Sequence, residues 1–371
     1  MKTLLRLLLK SQHQRSRSGR AQTEKGVTLI ELLIGTVMAF LIITPMLSFV
    51  VDMLNTDRRE QIKTNTEQDI QAAVDFIAQD LSQAIYIYDN RVLSINPDLG
   101  PNERAVRPQL PPNANGTPIL VFWKRQQLRN SLPINPTVAA KPKTCADNPN
   151  QCNDTYVSSL VAYYQVRDND QTWCQPSGGS CPTRIVRYEI RDGIDRLPDP
   201  STGNPPAIYG IANTTEAQRT NPAFNTTTDS DPATSFNLNN PTRNVTDPVG
   251  RNAPGAGNPQ VLVNYIDHST QNVPVPTGQD CQNLMGFVPP AVTPAGTPAF
   301  APDHLLITDR AANSAHSFYA CVDTQRNLAR VTIRGNSLRR LQPNDADFNA
   351  SRSAFFPTAT VQVQGLGARG K

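Results

Sequence analysis

The first 96 residues contain one proline, Pro45, although the 371-residue chain holds 32. Proline cannot donate to a helix or sheet ladder. Its scarcity leaves the front of the chain free to form long helix. Its density from residue 97 onward, about 11%, is roughly twice ordinary usage and excludes long helices there. Loops, turns and short strands are expected instead. Cysteine is missing from the front as well: the six lie at Cys145, Cys152, Cys174, Cys181, Cys281 and Cys321. Histidine is scarce and scattered, at His13, His268, His304 and His316. No His-Glu-x-x-His and no Gly-x-Ser-x-Gly occurs, so the common zinc-hydrolase and serine-hydrolase signatures are absent and no catalytic residue is named. Hydrophobic residues at 38% and a mean hydropathy of -0.42 exclude a polytopic membrane protein.

Charge is missing from one stretch. Between Lys25 and Asp52 the single charged residue is Glu31. The net charge of +4 conceals an asymmetry: residues 1–26 carry +6 and the remainder −2. The basic character therefore belongs to an N-terminal arm and not to a nucleic-acid-binding surface. Such an arm sits on the cytoplasmic side of a membrane span.

Val27 to Val51 is 25 residues long. As a helix it would extend about 37 Å, enough for a hydrocarbon core of about 30 Å. It is too long for the apolar region of a secretory signal, and no small-x-small cleavage site follows it. The bland reading of Glu31 is a stray acid near the end of a single-pass anchor, snorkelling to the interface.

The stretch Lys25-Gly26-Val27-Thr28-Leu29-Ile30-Glu31, followed by twenty uncharged residues, resembles the class III signal of type IV pilins and pseudopilins. The resemblance implies cleavage by a prepilin peptidase between Gly26 and Val27. It also implies N-methylation of Val27, where most of the family has Phe. Glu31 becomes the fifth mature residue. Cleavage frees an α-amino group of reference pKa about 8, cationic at neutral pH. In a stack of subunits the Glu31 carboxylate of one copy would meet that amine of a neighbour. A buried pair is tolerated where a lone buried charge is not. Pro45 is expected to kink or loosen the helix, as prolines in this region of pilins do.

Helical signal continues from Asp52. Ile70, Val74, Ile77, Leu81 and Ile85 mark one face, and the spacing predicts a helix reaching Asp89-Asn90. The domains expected are a cleaved leader (1–26), a helix (27–90, of which 27–51 transmembrane and 52–90 amphipathic) and an extracytoplasmic head (91–371). In the head, β-type runs fall at 119–124, 159–168, 184–192, 261–266, 304–309, 317–323, 328–334 and 358–364. The last four suit a meander. The fold class expected is α+β and pilin-like, a long helix packed on an antiparallel sheet. Residues 198–260 are rich in Pro, Asn and Thr and read as a long mobile insertion, and 289–302 is a similar loop.

Six cysteines beyond one apolar segment imply disulfides in an oxidising compartment. Nearest-neighbour pairing is the expectation: 145–152, 174–181 and 281–321, the second stapling a loop between two strands. Zinc would want closer Cys spacing and nearby His, so no metal and no cofactor are expected. Gly365 to Lys371 matches two phosphate-loop patterns, but no helix follows to receive a phosphate, and it reads as a tail.

Residues 20–90 carry the resemblance. Within them, residues 73–89 resemble the corresponding helix of the larger minor pilins and J-type pseudopilins, and residues 38–90 look very like the C-type cyanobacterial hormogonium polysaccharide secretion pseudopilins. That implies a non-enzymatic filament subunit supporting exopolysaccharide export and gliding motility. Its partners would be the prepilin peptidase, other pilins or pseudopilins, the assembly platform of the inner membrane and polysaccharide. Its place would be the inner membrane, with the head in the periplasm or on a surface filament. A tip adhesin whose loops bind a ligand stays open as the alternative. An anchored enzyme would need a cleft of perturbed acids or histidines, and no such set is visible.

Overall fold

The computed structural model describes residues 26–94, 105–110, 116–133, 152–191, 194–195, 208–209, 259–289, 300–309 and 314–366. Residues 1–25 of the leader, Cys145, almost all of the 198–260 insertion, residues 290–299 and the last five residues lie outside these. The chain divides into two compact units, Met1–Arg58 and Arg59–Lys371.

Helix α1 (Leu29–Ser82) begins at Thr28, whose carbonyl accepts from the Glu31 and Leu32 amides at 3.0 and 3.1 Å. Its first unit is apolar and exposed: Leu29 is 87% exposed, Phe40 76% and Phe49 70%. Two of its threonine hydroxyls are satisfied within the helix. Thr36 donates to the Leu33 carbonyl and Thr44 to the Phe40 carbonyl, both at 2.8 Å. A segment in hydrocarbon has to meet its polar groups in this way. The helix runs through Pro45 without a break. Among the described residues it is the one helix long and apolar enough to cross a membrane.

In the second unit Ile70, Val74, Ile77 and Leu81 are buried, as their spacing requires. The helix then stops at Ser82, short of Asn90. Ile85 belongs instead to strand β1 (Ala84–Ile87), antiparallel to β2 (Gly116–Pro133). The run Ala-Ile-Tyr-Ile also fits a helical stripe. Its β-branched and aromatic residues gain more as a strand paired with Phe122 and Trp123. Asp89 then caps a single turn, α2 (Asn90–Leu93), accepting from the Arg91 amide at 3.1 Å.

β3 (Cys152–Val166), β4 (Thr183–Arg191) and β7 (Gln260–Ile266) complete an antiparallel five-stranded sheet of order β1-β2-β3-β4-β7. Between β4 and β7 lie β5 (Ile194–Asp195) and β6 (Ile208–Tyr209), which pair with each other. Helix α3 (Gly278–Met285) follows, starting in a capping box made by Thr277 and Asp280. β8 (Leu306–Ile307), β9 (Phe318–Asp323), β10 (Leu328–Arg334) and β11 (Thr358–Gln364) form a four-stranded antiparallel meander. A turn, α4 (Leu338–Leu341), precedes β11. β10 and β11 have the expected bounds. The run 304–309 shrinks to two strand residues because Pro302–His304 forms a 3-10 turn. β2 and β3 are longer than expected. Beyond Lys124 and Ser159 they pair only with each other, as a two-stranded ribbon.

One core joins the helix stripe to both sheets, with Phe122, Trp123 and Tyr163 from the first and Phe318, Val331 and Ile333 from the second. Gly335 lets the helix approach: a Cβ there would lie 2.1 Å from Ile70 Cδ1.

Candidate processing and assembly site

Gly26, Val27 and Glu31 lie together at the start of α1. Gly26 and Val27 precede the helix and are exposed, Val27 by 66%. A Cβ on Gly26 would meet no described atom within 4 Å beyond its chain neighbours. Thr28 and Glu31 stand at capping-box spacing, and the Thr28 hydroxyl lies 3.4 Å from the Glu31 amide that donates to it. Glu31 falls in the first helical turn, where the helix dipole favours a carboxylate. Among the described residues no cation pairs with it. An exposed first-turn acid tolerates this in water. Once its apolar neighbours are covered, the carboxylate needs a positive partner.

A second constellation holds the other end of the helix and was missed in the sequence. Asp80 is buried. One of its oxygens accepts from Lys124 Nζ at 2.9 Å, and the other from the Tyr163 hydroxyl and Arg187 Nε, both at 2.7 Å. Glu189 closes the ring, 3.3 Å from Lys124 Nζ and 2.7 Å from an Arg187 terminal nitrogen. Two acids and two bases leave the group neutral. Burial, and then the Asp80 charge, hold the Tyr163 hydroxyl protonated far above its ordinary range. Burial is the largest influence on Arg187 and works against its charge, but Asp80, Tyr163 and Glu189 together outweigh it and the guanidinium stays more basic than usual. Asp80 sits three residues after Ile77 and one before Leu81, on the margin of the apolar stripe. An acid there, and bases inside the β-type runs at Lys124 and Arg187, were the available signal.

The head is tied further by two of the three expected disulfides, Cys174–Cys181 and Cys281–Cys321. Cys145 lies outside the described residues, and of Cys152 only the backbone, at the start of β3, is described. Arg339 is buried against the first disulfide loop and donates to the carbonyls of Ser180, Pro176 and Gly178 at 2.6, 2.8 and 2.9 Å. Asp267 accepts from Arg334 Nε at 2.9 Å and from the Ser269 hydroxyl at 2.5 Å. The histidines are dispersed. His268 packs between Asn336 and Asp347, His304 accepts from the Ala301 amide, and His316 bonds to Thr308. Among the described residues no group of three His, Cys, Asp or Glu could hold a metal ion.

Comparison of the chain with protein-family models, curated proteins and solved structures finds no match.

Two outcomes follow. Asp80→Ala leaves Lys124 and Arg187 with one carboxylate between them, and it should destabilise the head by about 3–5 kcal/mol. Chemical denaturation of the detergent-solubilised protein measures this, with Gln79→Ala on the exposed face expected within about 0.5 kcal/mol of wild type. Burial also lowers the pKa of His268 and His316 in the folded chain. Below the unfolded value, about 6.5, the unfolded chain binds protons that the folded chain resists, so stability falls as the pH falls. Denaturation midpoints at successive pH values should show that decline, and His268→Asn should flatten it.

Proposed function

We propose that this chain is a non-enzymatic minor pilin or pseudopilin, cleaved after Gly26, methylated on Val27 and packed through α1 into a type IV pilus-like or secretion filament. One observation carries the reading. The exposed apolar helix begins at an open glycine, keeps a single acid five residues later, and continues without a break into the segment that docks an antiparallel head. A helix that only anchored the head would have no use for the acid. A helix packed among copies of itself needs Glu31 to meet a neighbour's N-terminal amine, and that pair fixes the axial stagger of the copies.

Residues 38–90 resemble the hormogonium polysaccharide secretion pseudopilins, and on that resemblance the filament serves exopolysaccharide export and gliding motility. The leader then lies in the cytoplasm, α1 enters the inner membrane and the head lies outside the cytoplasm. Disulfides in the head suit that side. The partners are a prepilin peptidase, other pilins or pseudopilins and their inner-membrane assembly platform.

Mass analysis of the protein extracted from membranes tests this reading. The expected mature chain starts at Val27 and carries one added methyl group. Gly26→Val should retain the whole leader and keep the protein out of sheared surface material. A chain that still starts at Met1, or one cut elsewhere, sinks the proposal.

A further inference from the structure

The two disulfides of the head stand in unlike surroundings. Cys281 and Cys321 are 0% and 1% exposed, in an apolar cluster with Met285, Leu305 and Leu306. Cys174 and Cys181 are half-buried, and the ring they close presents Gln175, Ser177, Gly178, Gly179 and Ser180 to solvent. A disulfide opens when a thiolate attacks one of its sulfurs, so access decides which of the two can exchange. Only the 174–181 bond offers that access.

Its two sulfurs also differ. Arg339 Nη2 lies 3.9 Å from Cys174 Sγ. Arg339 is fully buried, and among the described residues no carboxylate neutralises it. Its hydrogen bonds go to the carbonyls of Pro176, Gly178 and Ser180, all inside the ring. Its other terminal nitrogen, Nη1, is buried with no hydrogen-bond partner among the described residues, so the guanidinium has a donor to spare. Cys181 Sγ faces the Asn169 amide oxygen at 3.6 Å, which gives a thiolate no support. A cation beside a cysteine lowers the pKa of its thiol, and the sulfur of lower pKa is the better leaving group. Cys174 is therefore the sulfur that departs, and Cys181 the one attacked.

We propose that Cys174–Cys181 is a thiol-exchange site whose substrate is a dithiol and whose leaving thiolate is received by Arg339. The incoming thiolate bonds to Cys181 Sγ, the Cys174–Cys181 bond breaks, and Cys174 leaves as a thiolate beside the guanidinium. The second sulfur of the dithiol then attacks its first and displaces Cys181. Two electrons and two protons pass from the dithiol to the two cysteines, and the dithiol ends as a disulfide. Opening the ring releases the carbonyls that hold Arg339. The next residue, Arg340, pairs with Asp69 of α1 and lies 4.6 Å from the centre of the Tyr265 ring, so the exchange reaches a contact between the head and its helix. The inference goes beyond the proposed function and does not depend on cleavage, methylation or filament assembly.

The test uses the full oxidised chain in detergent. Dithiothreitol is added for increasing times, free thiols are blocked by alkylation, and the peptide of each cysteine is identified by mass. Cys174 and Cys181 should be alkylated at least about tenfold faster than Cys281 and Cys321. With glutathione, a monothiol that stops at the mixed disulfide, the earliest adduct should sit on Cys181. Arg339→Lys keeps a charge and should keep that preference. Arg339→Met should lose it and open about threefold more slowly, whereas a ring merely loosened by the substitution would open faster. Amide hydrogen exchange at residues 338–341 should rise once the ring is open. Four results overturn the proposal: both disulfides opening at one rate, a wild-type adduct on Cys174 or shared evenly, an Arg339→Met chain that opens as fast as wild type with its adduct still on Cys181, or exchange at 338–341 that ignores the opening.

Discussion

The Asp80 carboxylate is the point on which the docked part of the helix depends. The apolar stripe of Ile70, Val74, Ile77 and Leu81 supplies most of the burial, but hydrophobic contact is not directional and would accept neighbouring rotations of the helix. The charges do not. Lys124, Arg187 and Glu189 come from β2 and β4 with their side chains buried, and Tyr163 adds a hydroxyl from β3. Without Asp80 turned inward, two cations would share one acid inside the protein. A rotation of one residue, about 100°, would carry the carboxylate off the sheet. The cluster therefore sets the register of helix on sheet, and the stripe supplies the affinity.

The same division explains what could be read in the sequence. The helix stripe, the last strands of the meander and the Cys174–Cys181 staple are local patterns, each resting on a few consecutive residues. All of them stand in the structure at or close to the expected places, and Cys281–Cys321 follows the nearest-neighbour rule over a longer loop. The misses share a cause as well. Ile85 satisfies both a helical and a strand period, and only its pairing with β2 decides between them. The outer parts of β2 and β3 are strands by virtue of each other, a pairing that no local run of residues announces. Asp80 and its partners are far apart in the chain, and no local rule brings an acid at 80 to a base at 187.

The front of α1 presents the opposite situation. Glu31 has a helix dipole to favour it and no partner among the described residues, in a segment whose other side chains are apolar and exposed. The docked end of the helix has its charge neutralised within the chain; the free end does not. If copies of the helix pack together, the missing cation has to come from outside the helix's own fold, and the α-amine that the proposed cleavage would create at Val27 has the suitable charge and place. Residues 29–54 then serve as contact surface and the head as what that surface carries.

The most direct measurement is a chromosomal deletion complemented with wild type or with Glu31→Ala, scored for filaments and for released polysaccharide. Immunoblots would confirm equal membrane insertion and cleavage. The account expects wild type to restore both, and Glu31→Ala to be inserted and cleaved yet to restore neither. Full restoration by Glu31→Ala would contradict it, because the acid would then be an exposed residue at a helix end and nothing more.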